Sequence, residues 1–155
     1  MGIFVPYDGS ALSSAALERA HELATATDEE LTIATVVPDD HRIALENGWI
    51  TEDEPFAVGT IMERLRSRVA GITPTADYRI EHVGGHPTSG GIARRLRDIA
   101  RDVDADLVVM GSENIASSAT PADMVSGRVA ARLELDLYIV QEERADVEPI
   151  AAVSV

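Results

Sequence analysis

The sequence predicts an α/β protein, a single doubly wound domain whose five-stranded parallel sheet carries helices on both faces. Three observations predict it. Short β-branched apolar runs alternate with segments of helical period in the order βαβαβαβαβ. Turns rich in Gly, Pro, Asp and Ser separate them. The 155 residues, 45% of them apolar, suit one core built from Val, Leu, Ile and Ala, since only 4% are aromatic. There are no internal repeats. The expected domain covers residues 1–141, with 142–155 as a tail or docked edge.

Each element has its own signal. Ile3 to Pro6 reads as a short buried strand, followed by the turn Asp8-Gly9-Ser10, with Ser10 as N-cap. Leu12, Ala16, Ala20 and Leu23 recur at helical spacing, opposite Glu18 and Glu22. Leu31 to Val37 is a β-branched strand ended by Pro38. The stretch 39–54 is acidic, carries the single Trp49, and is expected to be irregular. Val58, Ile61, Leu65, Val69 and Ile72 define a second amphipathic helix, closing near Gly71. A third strand spans about 75–83. The turn Gly84-Gly85-His86-Pro87 leads into a helix with Ile92, Leu96, Ile99 and Val103 inward. Asp106 to Met110 is the fourth strand, Gly111 to Ala119 a loop, and Thr120-Pro121-Ala122-Asp123 a capping box opening a short helix to about Leu133. Leu135 to Val140 is the fifth strand.

Charge excludes much chemistry. Thirteen positive residues face 27 negative ones, for a net charge of −14, and every positive residue is arginine. Without lysine there is no Walker A phosphate loop and no Schiff-base chemistry. Without cysteine there is no thiol nucleophile, disulfide or thiolate zinc site. So acidic a surface repels nucleic acid. No apolar run approaches the roughly 20 residues that span a bilayer, and the N-terminus lacks the basic region of a signal peptide. The expectation is a cytoplasmic protein without membrane attachment. Acidity with arginine in place of lysine points to a salt-rich, haloarchaeal type of cytoplasm, where a Debye length of about 3 Å at molar salt makes self-repulsion cheap.

In a doubly wound sheet the ligand crevice lies beyond the carboxyl ends of the strands, where strand order reverses. That directs attention to Asp8, Val36 and Met110-Gly111. Asp8 can accept hydrogen bonds from a ribose or base, or can simply form the turn ahead of Gly9. Gly111, with the Ser- and Thr-rich segment that runs on to Gly127 and Arg128, can bring main-chain N–H groups to an anion, or can be an ordinary loop. No basic residue occurs between Asp102 and Gly127, so phosphates there need Arg128 or a divalent cation. His82 and His86 lie four apart across a Gly-Gly turn, which is poor metal-ligand geometry, and no metal site is expected. Arg94, Arg95, Arg97 and Arg101 form either a solvated helix face or a docking patch for an acidic partner. No GxSxG, HExxH or paired-carboxylate motif occurs, so no catalytic residue is named.

Several of these segments resemble the universal stress protein family. Val5-Pro6-Tyr7-Asp8-Gly9-Ser10, with Ala16-Leu17 and Ala20 behind it, is similar to the family's opening. Leu31-Thr32-Ile33 through Val36-Val37-Pro38 resembles its second strand, and Gly85-His86-Pro87 with Ile92 its turn into the third helix. Ala105-Asp106-Leu107-Val108-Val109-Met110-Gly111-Ser112 is the most specific match. Gly127 with Val129-Ala130, then Leu137 to Val140, resembles its close. The resemblance implies strand order 3-2-1-4-5 and a homodimer, often through the last strand.

It also implies a site. Pro6, Tyr7, Asp8, Val36, Met110 and Gly111 would form the adenosine half, with Asp8 and the Val36 backbone at the adenine end. The family's ATP binders carry Gly, two residues, Gly, nine residues, then Gly with Ser or Thr. Here Asn114 stands at the second glycine, Gly127 comes three positions late, and Arg128 replaces the hydroxyl residue. The glycine motif is degenerate. AMP, or ATP assisted by Mg²⁺, are the ligands this leaves open. The expected function is a stress-response binding or regulatory protein that is not an enzyme. The competing expectation is a slow ATP hydrolase, or another adenine-binding doubly wound domain of the electron-transfer-flavoprotein type.

Overall fold

In a computed structural model of the chain, residues 2–85, 89–111, 136–141 and 150–152 are described. They form β1 (Gly2–Pro6), α1 (Ala11–Thr27), β2 (Glu30–Pro38), α2 (His41–Glu46), α3 (Val58–Ile72), β3 (Asp77–Val83), α4 (Ser89–Asp102), β4 (Ala105–Gly111) and β5 (Asp136–Val140), with a 3₁₀ turn at Ile150–Ala152. All five strands are parallel, in the order β3-β2-β1-β4-β5. Fold class and strand order are those the sequence predicts.

Strand periodicity divides the core in two. Ile3, Val5 and Tyr7 of the first strand and its exit point with Leu31, Ile33, Val37 and Val109 to one face. There they pack beneath Leu17, Ala20 and Ala24 of α1 and Ile61, Leu65 and Val69 of α3. Phe4, Ala34, Val36, Val108 and Met110 point to the other face, under Ala93, Leu96, Ile99 and Ala100 of α4. The chain crosses between faces after β3, because β1 to β3 build outward in one direction and β4 returns to the far side of β1. β1 and β4 therefore flank the point where strand order reverses.

Most boundaries fall within two residues of expectation. The stretch 39–54 is the exception. It contains α2, capped by Asp40, whose Oδ1 accepts the Arg42 N–H at 2.9 Å and the Ile43 N–H at 3.3 Å. A six-residue helix with one buried side chain, Ala44, leaves no readable period. Ser10 caps α1 as expected, its side chain accepting the Ser13 N–H at 3.1 Å. The turn at His86-Pro87, the loop after Gly111 to Ala119, the capping box Thr120 to Asp123, the helix to Leu133, Gly127, Arg128 and most of 142–155 lie outside the described residues.

Gly111 closes β4 against the first turn of α1. A Cβ there would stand 2.8 Å from Leu12 Cβ, 3.0 Å from its carbonyl carbon and 3.1 Å from its oxygen. The small residue lets strand and helix approach. Gly111→Ala should cost about 1–3 kcal/mol through overpacking. A fall of several degrees in the thermal midpoint, without loss of secondary structure by circular dichroism, is the expected result.

Candidate functional site

The crevice begins where β1 stops. Parallel β1 and β2 stay paired up to Pro6 and Ala34, and the Tyr7 N–H adds one more bond, to the Ala34 carbonyl at 2.9 Å. Strand polarity alternates with period two, so the main-chain groups of Val36 point the same way as those of Ala34. β1 has left the sheet by then. The Val36 N–H and carbonyl therefore face the space beyond its end, between β2 and the end of β4. The Val36 side chain is packed on the α4 face with Phe4 and Met110. Of Val36, then, the main chain and not the side chain borders that space.

The β1 exit is tightly bonded. Thr35 Oγ1 donates to the Tyr7 carbonyl at 2.6 Å and lies 2.7 Å from the Tyr78 hydroxyl. A hydroxyl has one proton, and that of Thr35 goes to Tyr7, so Tyr78 is the donor in the second bond. Burial raises the Tyr78 pKa, which keeps that proton in place. Tyr7 itself is buried, with its hydroxyl 3.1 Å from Ser14 Oγ and its ring edge-on to Tyr78 at 6.4 Å. Burial pushes its pKa up to about 12. The Tyr7 phenol is thus part of the core on the α1 face.

Asp8 carries the chemistry available at the turn. Its Oδ1 accepts the Ser10 N–H at 2.9 Å and the Ser13 hydroxyl at 2.8 Å, fixing the start of α1. Among the described residues both bonds fall on Oδ1, and Oδ2 takes none. The half-buried side chain keeps contact with solvent. Its carbonyl accepts the Trp49 indole N–H at 2.7 Å.

Pro6 ends β1 half-buried, Met110 is buried on the α4 face, and Gly111 lies against Leu12. The structure brings Pro6, Asp8, Val36 and Gly111 to the carboxyl ends of adjacent strands. Gly127 and Arg128 are outside the described residues. His82 Nε2 stands 4.0 Å from Asp39 Oδ1, and among the described residues no group of three or more His, Asp or Glu could hold a metal. Of the α4 arginines, Arg94, Arg95 and Arg101 are exposed, Arg95 forms an ion pair with Glu81, and Arg97 is half-buried and partnered.

Sequence reasoning passed over the residues that support the turn. Trp49 is buried within the acidic stretch, its N–H bonded to the Ala44 carbonyl at 2.9 Å. Arg64 grips that stretch from α3. One guanidinium nitrogen donates to the Trp49 carbonyl at 2.9 Å and to Glu54 Oε1 at 3.1 Å, and the other to Oε2 at 2.6 Å. Glu54 also accepts the Thr51 N–H at 2.8 Å. The one readable signal was a lone tryptophan between Gly48 and Ile50 in an otherwise acidic run.

The sequence profile of the universal stress protein family matches residues 1–135. The chain belongs to the universal stress protein family. A solved universal stress protein in complex with cAMP is similar at 25% identity, with a TM-score of 0.56, covering 91% of this chain and 97% of its own. One from Burkholderia pseudomallei is 22% identical, with a TM-score of 0.55 and coverage of 91% and 96%. One from Archaeoglobus fulgidus in complex with dAMP is 19% identical, with a TM-score of 0.56 and coverage of 91% and 98%. No curated protein sequence matches significantly.

The Arg64 guanidinium, bonded to both Glu54 oxygens, holds the Glu54 carboxyl down at about 2, against an ordinary value of 4.5. A depressed carboxyl stabilises the fold fully above its unfolded pKa and loses that contribution as pH falls through the folded one. Glu54→Gln should therefore lower the thermal midpoint at pH 6, and the gap to the parent protein should close between about pH 4.5 and 2.

Proposed function

We propose that this universal stress protein is a binding and regulatory module, not an enzyme, and that it takes an adenine nucleotide at the carboxyl ends of β1, β2 and β4. The observation that carries the reading is a pair of polar groups at the end of β1 that no bond among the described residues engages. The Val36 N–H and carbonyl face space that no described strand fills, and Asp8 offers Oδ2. A donor and acceptor on one main-chain residue suit the edge of a purine, and a carboxylate oxygen suits a ribose hydroxyl or an exocyclic amine. The similar proteins solved with cAMP and dAMP support an adenine ligand.

Charge selects the phosphate state. The sequence holds no basic residue from Asp102 to Gly127, and Gly111 is spent on Leu12. A nucleotide with one phosphate suits this end better than ATP, which would need Mg²⁺ to offset its charge. Of the residues named for this site from sequence, Pro6, Val36, Met110 and Gly111 supply wall and main chain, Asp8 supplies a side chain, and Tyr7 supports from below. Gly127 and Arg128 are proposed at the phosphate end.

We further propose a homodimer through β5 in a salt-rich cytoplasm. Leu137, Tyr138 and Ile139 are 41%, 39% and 36% exposed on the edge strand of the sheet, where unpaired main-chain groups invite pairing with a second copy. Among the described residues no helix is long and apolar enough to cross a membrane.

Calorimetry in molar salt tests the ligand. AMP should bind, ATP should bind only with Mg²⁺, and Asp8→Ala should weaken AMP by tenfold or more. No heat with any of them, together with no nucleotide retained by mass spectrometry after purification, would sink the reading. Turnover of ATP that vanishes in Asp8→Ala would put the hydrolase in its place. Light scattering in the same buffer should give twice the chain mass, and Tyr138→Arg should halve it. A monomeric parent protein would remove the dimer.

A further inference from the structure

We propose that the Ile150–Ala152 turn is a clasp that positions the Asp8-Gly9 turn, and that ligand affinity at Asp8 depends on it. The second half rests on the nucleotide reading above. The first half stands on packing alone.

Gly9 has a φ of +82°, a backbone conformation that side chains rarely adopt. The space a Cβ would take is filled from elsewhere in the chain. Ile150 Cδ1 occupies that position, with Ile150 Cγ1 2.9 Å and Leu65 Cδ2 3.6 Å from it. Ile150 is fully buried, in the same core as Trp49, Leu65 and Tyr7. The next residue makes a second hold, because the Ala151 N–H donates to the Gly48 carbonyl at 3.0 Å. Gly48 precedes Trp49, whose indole N–H donates to the Asp8 carbonyl at 2.7 Å. The Asp8-Gly9 unit is thus gripped at both residues. Ile150 packs on Gly9 directly, and Ala151 reaches Asp8 through Gly48 and Trp49.

This grip is long-range. Ile150 follows β5 in sequence, and β5 is two strands away from β1. The chain returns from the sheet edge to seat one side chain under the turn that bears the candidate ligand acceptor. An Asp-Gly turn has several accessible conformers, and the direction of the Asp8 carboxylate follows from which is held. Ile150 and Trp49 are therefore positioning residues. Neither needs to touch a nucleotide to affect its binding.

The test uses the full chain with Ile150→Ala and, separately, Ala151→Pro, which removes the N–H bonded to Gly48 and keeps the isoleucine. Without ligand, acrylamide quenching of the single Trp49 should rise several-fold. Amide exchange at Gly9 and Ser10 should quicken by tenfold or more, while Ile33 and Val109 in the sheet stay protected. AMP affinity should fall at least fivefold in both variants, and Ile150→Leu should recover most of it. Unchanged quenching and exchange would overturn the clasp, as would loss of protection across the whole sheet in both variants, which would make Ile150 ordinary core. A loosened turn with AMP affinity within twofold of the parent would overturn the positioning role. A parent protein that binds no nucleotide would end the proposed function, and the ligand-free exchange would then decide the clasp by itself.

Discussion

A central parallel strand must leave its sheet with its main-chain groups satisfied, and the exit of β1 at Pro6 is the constraint on which this architecture turns. Two neighbours run past it, so the exit is buried, and an unpaired buried N–H or carbonyl costs about 1–3 kcal/mol. The chain meets this residue by residue. The Tyr7 N–H donates to the Ala34 carbonyl, the Tyr7 carbonyl accepts from the Thr35 hydroxyl, and the Asp8 carbonyl accepts from the Trp49 indole N–H. The Asp8 carboxylate then serves the first turn of α1. The partners come from three segments, so the turn is where β2, the 39–54 stretch and α1 are registered against one another. Among the described residues the Val36 main chain and one Asp8 oxygen are left without a bond, and they lie at the carboxyl ends of β1 and β2. Site and fold are two outcomes of one set of hydrogen bonds.

The supports behind that turn are polar in an unusually acidic chain, and arginine is what makes this workable. Arg64 reaches a carbonyl and both oxygens of Glu54 at once, which a lysine ammonium cannot do with the same geometry. The pair ties α3 to the stretch that presents Trp49. Its attraction is local and short, so the high salt that suits a net charge of −14 screens it less than it screens exposed charges further apart. The composition sets a different condition at the crevice. Attraction for phosphate there has to come from main-chain N–H groups, from Arg128 or from a cation, since no arginine precedes position 128 in that segment.

Much of the fold was legible because strand and helix periods are strong local signals. The runs Leu31 to Val37 and Asp106 to Met110 are apolar on both faces, as strands covered on both sides must be. The Ser10 cap was legible from residue type and position. What was not legible needed a third dimension. Tyr7 follows the end of β1, and only strand parity in the folded sheet shows that its side chain packs with Ile3 and Val5 on the α1 face. α2 is too short to show a period. Ile150 looked like one small apolar residue among several near the end of the chain, and nothing local pairs it with Gly9, 141 positions earlier. Long-range packing of this kind leaves no periodic trace.

The glycines sharpen the point. A glycine just after a β-strand in a doubly wound fold invites the reading that a ligand needs the room. Here two such glycines have that room filled by the protein itself, Gly111 by Leu12 and Gly9 by Ile150. Each would be required at its position if the chain bound nothing. Glycine spacing is therefore weak evidence for a phosphate in this chain, whether the motif is degenerate or intact. Two other groups are not engaged by any bond among the described residues. Val36 has a main chain that β2 carries past the end of its neighbour, and Asp8 has an oxygen beyond the one that α1 requires. Those two groups stand apart from the packing that accounts for Gly9 and Gly111, which is why recognition is proposed at the adenine end, away from the segment without arginine.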